Sequence, residues 1–138
     1  MLNMKMIRTE YITIEGNEIP CYVYEFQKGD RVRLPKCKKV VSLKKGKHKK
    51  ELLKLYAGFD IETTNIIEAN SKLAFMYIWQ FIIANDDNGF IYLGRKWEDF
   101  IYLLENIATF YNASETTRLI IWVANFSFEF QFLRHHIE

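Results

Sequence analysis

The stretch LAFMYIWQFIIA, residues 73–84, constrains the fold of this chain more than any other. Its side chains are apolar at both odd and even positions, and successive side chains of a strand point to opposite faces of a sheet. A strand with this pattern needs cover on both faces. The turn residues Asp86 to Gly89 and the apolar run of residues 90–93 follow directly, which predicts a hairpin. The sequence therefore predicts a sheet with a buried strand at its centre.

The elements around this hairpin predict an α/β fold with a mixed sheet. Residues 56–62 form a short apolar strand candidate, and residues 96–112 carry apolar side chains at helical spacing. Residues 118–124 predict another buried strand, and residues 125–138 a final helix. The first three strands should form an antiparallel meander, and the helix should return the fourth strand parallel to the first.

The N-terminal part predicts a β-hairpin extension of this fold. Residues 10–27 alternate apolar and polar side chains on both sides of Glu15 to Glu18. Short β-like pieces follow at residues 32–34 and 40–43, which suit a second hairpin or an ordered loop, and residues 49–55 suggest one or two helical turns. We therefore divide the chain into a basic extension, residues 1–50, and a main part, residues 51–138.

Composition and charge narrow the class of protein. The chain has 138 residues, of which 49% are hydrophobic, so one domain with a real core is expected. No membrane span or secretion signal is predicted, and Cys21 and Cys37 are interpreted as reduced thiols of a cytoplasmic protein. Residues 28–50 hold eleven Lys or Arg against one Asp, a net charge of +10. This segment is either a contact for nucleic-acid phosphates or a solvated loop.

Two acids interrupt the strand candidate YAGFDIETTN, residues 56–65. Asp60 and Glu62 are two residues apart, so they project from the same side of a strand. Two carboxylates this close repel each other unless a cation lies between them, and Mg²⁺ or Mn²⁺ suits such oxygen ligands. Thr63 to Asn65 follow and offer small polar groups at the strand end, where ligands of α/β sheets usually lie. The alternative is a strand end whose acids face solvent.

A second group of polar residues follows the last predicted strand. Asn125 ends that strand, and Glu129 falls in the first turn of the predicted final helix. If residues 118–124 and 56–62 are parallel neighbours, both strands open at the same sheet edge. Glu129 should then approach the ions held by Asp60 and Glu62.

Together, FDIETT and NFSFEFQFL resemble the first and second exonuclease motifs of family B DNA polymerases. They look most like the viral and organellar, protein-primed branch. The resemblance covers residues 56–138 and implies a truncated RNase H-like sheet, the N-terminal part of a 3′–5′ exonuclease domain. It also implies a role in DNA replication in a bacterial host, encoded by a phage or plasmid, and two Mg²⁺ or Mn²⁺ ions in the complete domain.

The resemblance assigns roles to single residues. It makes Asp60, Glu62 and Glu129 the catalytic metal ligands, although Glu129 stands where the family usually has Asp. Its DNA-binding positions are matched by Thr63, Asn125, Phe128 and Phe132. The partners it implies are the 3′ end of single-stranded DNA, the terminal protein or the rest of the polymerase.

The chain also departs from the family pattern. The third motif, Tyr-x-x-x-Asp, does not follow residue 133, so we expect little nuclease activity from these 138 residues alone. The alternative is an inactive half-domain that binds nucleic acid or protein, as a decoy or inhibitor. Phenylalanines at 126, 128, 130 and 132 cannot all be buried by one helix, so we expect them to promote self-association.

Overall fold

The computed structural model describes residues 5–37, 40–45, 48–68, 71–114 and 117–123. These residues form two sheets and one helix. The strands are β1 (Met6–Ile14), β2 (Asn17–Glu25), β3 (Val40–Lys45), β4 (His48–Leu53), β5 (Tyr56–Glu68), β6 (Ser71–Ala84), β7 (Gly89–Gly94), β8 (Thr117–Arg118) and β9 (Ile121–Val123), and helix α1 is Trp97–Phe110. None of the helices in the described ranges is long and apolar enough to cross a membrane.

The larger sheet has six strands in the order β1-β2-β7-β6-β5-β9. The predicted meander is confirmed, because β5, β6 and β7 pair antiparallel. The predicted crossover is also confirmed, because β9 pairs parallel with β5, with Phe59 opposite Val123. The predicted buried strand over residues 118–124 is interrupted, since Leu119 and Ile120 separate β8 from β9, and it is not buried, since Trp122 is 75% exposed.

The predicted N-terminal hairpin is present and belongs to the larger sheet. Glu15 and Gly16 both have positive φ, +50° and +81°, as the tight two-residue turn between β1 and β2 requires. β2 then pairs parallel with β7, so the hairpin extends the sheet on the side away from β9.

The smaller sheet corrects one expectation about the basic segment. Its strand order is β3-β4-β8, so the helical turns expected over residues 49–55 are wrong, because residues 48–53 pair with β3 instead. Of the β-like pieces expected to form a second hairpin or an ordered loop, residues 40–43 belong to the β3–β4 hairpin and residues 32–34 to a loop. The boundary drawn at residue 50 falls inside β4, whose last residue, Leu53, is buried in the main core.

Helix α1 covers one face of the larger sheet. Phe100 is its central contact, with ring centroids 4.4 Å from Phe59 and 5.2 Å from Trp79. Side chains at alternate positions of β5, β6 and β7 are buried on this face, among them Phe59, Phe81 and Tyr92. The opposite face holds a smaller buried cluster of Cys21, Val23, Ala84 and Ile91. Ile12 and Ile14 of β1 pack on that cluster, so the twist of the sheet carries β1 over this face.

A segment that begins with a turn and has no helix or strand, residues 26–37, lies across the α1 side, and we call it the strap. Lys28 N–H donates to Asp99 at 2.8 Å, and Arg33 N–H donates to the Tyr92 hydroxyl at 2.7 Å. The Tyr111 hydroxyl donates to the carbonyl of Pro35. The strap's backbone groups are therefore bonded to side chains far along the chain, which fixes its path.

Asn85 joins the strap to the turn before β7, and its replacement gives a test of this contact. Its amide donates to the carbonyl of Lys36 at 2.9 Å, and its oxygen accepts the backbone N–H groups of residues 87 and 88. Asn85 is 7% exposed. We expect Asn85→Ala to lower the free energy of unfolding by about 2 kcal/mol, because it leaves buried polar groups without partners.

Urea denaturation of both variants checks this prediction, with Asn106→Ala as the matched control. Asn106 donates a hydrogen bond to Tyr102 O within α1, and alanine favours a helix. Equal unfolding midpoints for the two variants would contradict the anchoring role of Asn85.

Candidate metal and nucleic-acid site

The predicted carboxylates lie together on the sheet face opposite α1. Asp60 is opposite Gln80 in the β5–β6 ladder, and Glu62 is opposite Ile78. The intervening Ile61 points to the other face and is 9% exposed. The strand alternation that predicts a shared direction for the two acids is therefore confirmed.

These acids line one hollow of about 210 Å³, together with Ile78, Gln80, Leu93 and Arg8. We call it the carboxylate hollow. Asp60 is half-buried and Glu62 exposed, and the backbone N–H of Ile61 donates to Asp60 Oδ1 at 2.9 Å. This bond fixes one carboxylate oxygen of Asp60 and leaves the other for a ligand.

Arg8 is the only cation that lines the carboxylate hollow in the described part of the chain. It belongs to β1, four places away from β5 in the strand order, and still lines the same hollow as Asp60 and Glu62. Its Nε donates to Glu10 Oε1 at 2.6 Å. The side chains of Arg8 and Glu10 are 51% and 45% exposed, so this ion pair is open to exchange with solvent and ligands.

The backbone around the carboxylates departs from the sequence prediction in one respect. The strand does not end after Glu62, because β5 continues to Glu68 and Thr63 to Asn65 lie within it. The register of the β5–β6 ladder shifts between Glu62 and Thr63, where the strand was predicted to end. The long partner strand β6 explains the extension, since it supplies ladder positions as far as Ser71. Such irregularities bend a strand locally and are frequent beside active sites.

The parallel strand β9 ends beside the carboxylates. Phe59 is opposite Val123 in the ladder, so the chain leaves β9 next to Asp60. The predicted site residues Asn125, Phe128, Glu129 and Phe132, and the predicted final helix, lie outside the described residues. The same holds for the four phenylalanines expected to promote self-association. Thr63 has a described position in β5, and its predicted contact with DNA remains a prediction.

The residues present fit a hard divalent cation. Asp60, Glu62 and Gln80 line one hollow, and side chains that carry oxygen ligands are what Mg²⁺ and Mn²⁺ prefer. Within the described ranges, no three Asp, Glu, His or Cys side chains come close enough together to hold a metal. A third carboxylate would therefore have to come from another part of the protein.

Sequence reasoning missed Gln80, Arg8 and the role of Asp99. Gln80 could have been recognised from the sequence, because it is the polar residue within the apolar run of residues 73–84. In the structure it lies opposite Asp60 in the β5–β6 ladder. Arg8 had no such signal, since only the curl of the sheet brings it near. Asp99 lies in the first turn of α1, is 6% exposed and accepts the backbone N–H of Lys28 in the strap, a contact that no local pattern predicts.

Comparison of the chain with protein-family models, curated proteins and solved structures gives no match.

Proposed function

We propose that residues 56–138 carry the first part of a 3′–5′ exonuclease domain of the family B DNA polymerase type, from the protein-primed branch. The observation that supports this most is the position of Asp60 and Glu62. They share the open face of β5, at the level where the parallel strand β9 ends. The sequence that follows β9 holds the second motif, with Asn125 and Glu129.

The strand order also supports an RNase H-like sheet. Across β7-β6-β5-β9, a meander occupies the first three places and the strand after the helix lies beside β5. This is the arrangement that the resemblance implies for the segment between the two motifs. The β1–β2 hairpin is an addition on the far side of β7.

The chemistry proposed is hydrolysis of the terminal phosphodiester of single-stranded DNA. Asp60 and Glu62 hold the divalent ions, which, when bound, supply an activated water and stabilise the leaving oxygen. The bond from Ile61 N–H keeps the Asp60 carboxylate in one orientation. Gln80 lies opposite Asp60 and offers an amide that can orient a phosphate or a water. Arg8 faces the same hollow and attracts the phosphate backbone.

Titration with Mn²⁺, followed by electron paramagnetic resonance, tests the metal site. We expect Asp60→Asn and Glu62→Gln each to weaken Mn²⁺ binding at least about tenfold, because even the loss of a group that supports a ligand costs that much. Glu98→Gln is the matched control, since it removes an exposed carboxylate from the start of α1. Unchanged Mn²⁺ affinity in Asp60→Asn would overturn the proposal.

Incubation of a 5′-labelled oligonucleotide with Mg²⁺ then separates the enzyme from an inactive binding module. Any shortening from the 3′ end must disappear in Asp60→Asn, because the ion that activates water is lost. Mn²⁺ binding and DNA binding without any shortening would favour the binding module. Shortening that persists in Asp60→Asn would show that cleavage does not use these carboxylates.

A further inference from the structure

Three hollows adjoin one another: two lie on the face opposite α1, and the third lies at the edge of the sheet, where the strap and the start of α1 also line it. The carboxylate hollow shares Asp60 and Gln80 with a hollow of about 400 Å³ toward β9. It shares Ile78 and Leu93 with a third hollow, of about 360 Å³, at the edge where the parallel strands β2 and β7 both end. The three hollows therefore follow one another across the sheet, with the carboxylates in the middle one, and we refer to the three together as the groove.

The β9 end of the groove is a slot with apolar walls. Gly58 forms its floor, where a β-carbon would lie only 3.3 Å from the Ile82 side chain. Trp122 forms its outer wall and is 75% exposed on the edge strand. We call this hollow the glycine slot. An open slot beside an indole face suits a flat ring, and nucleic-acid bases stack on such aromatic side chains.

The opposite end of the groove carries cations. Lys28, Arg95 and Lys96 line it and are exposed, and we call these three residues the cationic end. Lys96 Nζ is 4.0 Å from Glu98 Oε1, at the limit of an ion pair, and such exposed pairs are weak.

Acids also line this end, and their positions matter for an anionic ligand. Asp99 is buried and accepts the backbone N–H of Lys28, so its carboxylate is already engaged. Glu25 and Glu98 are exposed, so their flexible side chains can turn to solvent while the cations contact a phosphate.

We propose that this groove holds a single nucleic-acid strand, with the 3′-terminal base in the glycine slot. The terminal phosphodiester then lies at Asp60 and Glu62, and the phosphates before it lie at the cationic end. The inference rests on the proposed function and extends it, because it assigns a path to the substrate through residues that the exonuclease motifs do not include.

The order of features along the groove favours this occupant. A stacking wall, a pair of metal-binding carboxylates and a set of cations follow one another across the sheet. A nucleic-acid strand presents a base, a scissile phosphodiester and further phosphates in the same order. Aromatic stacking together with a basic groove is also the common basis of single-strand binding.

Fluorescence anisotropy with 5′-labelled thymidine oligonucleotides in Ca²⁺ tests the path, with a dinucleotide and a dodecanucleotide compared. We expect Trp122→Leu to weaken binding of both about tenfold, since both place a base in the glycine slot. The triple variant Lys28→Ala, Arg95→Ala, Lys96→Ala should leave the dinucleotide unaffected. It should weaken the dodecanucleotide and reduce the slope of log affinity against log salt by about 2, because three phosphates are no longer neutralised by the protein.

The control is the triple variant Arg31→Ala, Lys36→Ala, Arg118→Ala. It removes the same charge from residues that line none of the three hollows. An equal loss of dodecanucleotide affinity in this control would mean that binding follows net charge, and the path would be wrong. An effect of Trp122→Leu on the dodecanucleotide alone would also overturn it, because the terminal base would not be in the slot.

Mn²⁺ binding, measured in the same variants, keeps this inference separate from the proposed function. Changes at Trp122 and at the cationic end should leave Mn²⁺ affinity unaltered. If these variants bind both Mn²⁺ and DNA like the wild type, the groove is rejected and the proposed metal site is unaffected. A different result would reject the proposed function and leave the groove as a binding surface. In that case both groove variants lose DNA affinity, but Asp60→Asn binds Mn²⁺ as tightly as the wild type.

Discussion

Replacement of Gly94 by alanine is expected to lower the free energy of unfolding by about 3 kcal/mol, the upper part of the range for overpacked cores. Gly94 ends β7 and is opposite Trp79 in the ladder. A β-carbon at this position would lie 2.0 Å from Trp79 Cζ2 and 2.2 Å from Cε2. Trp79 cannot move aside easily, because it is fully buried and its indole N–H donates to Lys96 O at 2.9 Å.

Urea denaturation followed by tryptophan fluorescence measures this loss, with Gly58→Ala as the control. Gly58 is also a strand glycine, but a β-carbon there would meet its nearest neighbour at 3.3 Å. We expect Gly58→Ala to cost less than about 1 kcal/mol, since a small shift of a side-chain methyl relieves that contact. Equal costs at the two positions would contradict the packing described for Trp79.

A double-mutant cycle identifies the contact responsible. In a Trp79→Leu background, the indole ring that meets the new β-carbon is absent, so Gly94→Ala should cost much less than in the wild type. If its cost stayed the same, the strain would come from the backbone rather than from Trp79.

The free energy of unfolding is expected to fall steeply when the pH rises above 9. The reason is that one buried thiol and two buried phenol groups keep their protons to a higher pH in the folded protein than in the unfolded chain. Burial, with a smaller contribution from the Glu10 carboxylate, raises the pKa of Cys21 from 9.0 to about 11. Burial also raises the pKa of Tyr92 and of Tyr111 above their ordinary value of 10.0. The hydrogen bond with Arg33 opposes this rise in the pKa of Tyr92, and the Cys37 thiol adds to it at Tyr111.

The direction of the pH effect follows from proton counting. Between pH 9 and 11 the unfolded chain loses the Cys21 proton while the folded chain keeps it, and above pH 10 the same holds for the two tyrosines. The unfolded state therefore binds fewer protons, and stability falls as the pH rises. Each such group contributes a slope of up to about 1.4 kcal/mol per pH unit. The stabilising contribution is fully present below pH 9.

Urea denaturation at intervals from pH 7 to 11 tests this prediction, with Cys21→Ala as the diagnostic variant. The variant should lose some stability at pH 7 and should show a shallower fall between pH 9 and 10, where Cys21 is the first of the three groups to titrate in the unfolded chain. A wild-type stability that stays constant from pH 8 to 11 would contradict the burial of all three groups.

Much of the sheet could be predicted from local sequence patterns. The apolar run of residues 73–84, with its turn, predicts the β6–β7 hairpin, and the alternation in residues 10–27 predicts β1 and β2. Helical spacing over residues 96–112 predicts α1, which spans residues 97–110. The burial of β2 and α1 shows the expected periods, because buried positions alternate in β2 and recur every three or four residues in α1.

The basic segment could not be predicted in the same way. Residues 49–55 have no clear period and suggest helical turns, whereas β4 forms because β3 and β8 supply hydrogen-bond partners on both sides. Pairing between residues distant along the chain overrides a weak local preference. The run of residues 73–84 predicts cover on both faces, but Gln80 is exposed and Ile78 and Ile82 are half-buried. The carboxylate hollow and the glycine slot lie on this uncovered face.

The sequence by itself determined that Asp60 and Glu62 share one side of a strand, because side-chain direction in a strand repeats every two residues. It also determined that a helix crossover returns a parallel strand beside them. Only the tertiary structure decided which side chains face these acids. The register of the β5–β6 ladder places Gln80 opposite Asp60, and the curvature of the sheet brings Arg8 near. Trp122 and the cationic end belong to strands and loops that lie far apart in the chain. Such neighbours depend on how elements pack across the whole sheet, and no local repeat in the sequence records that.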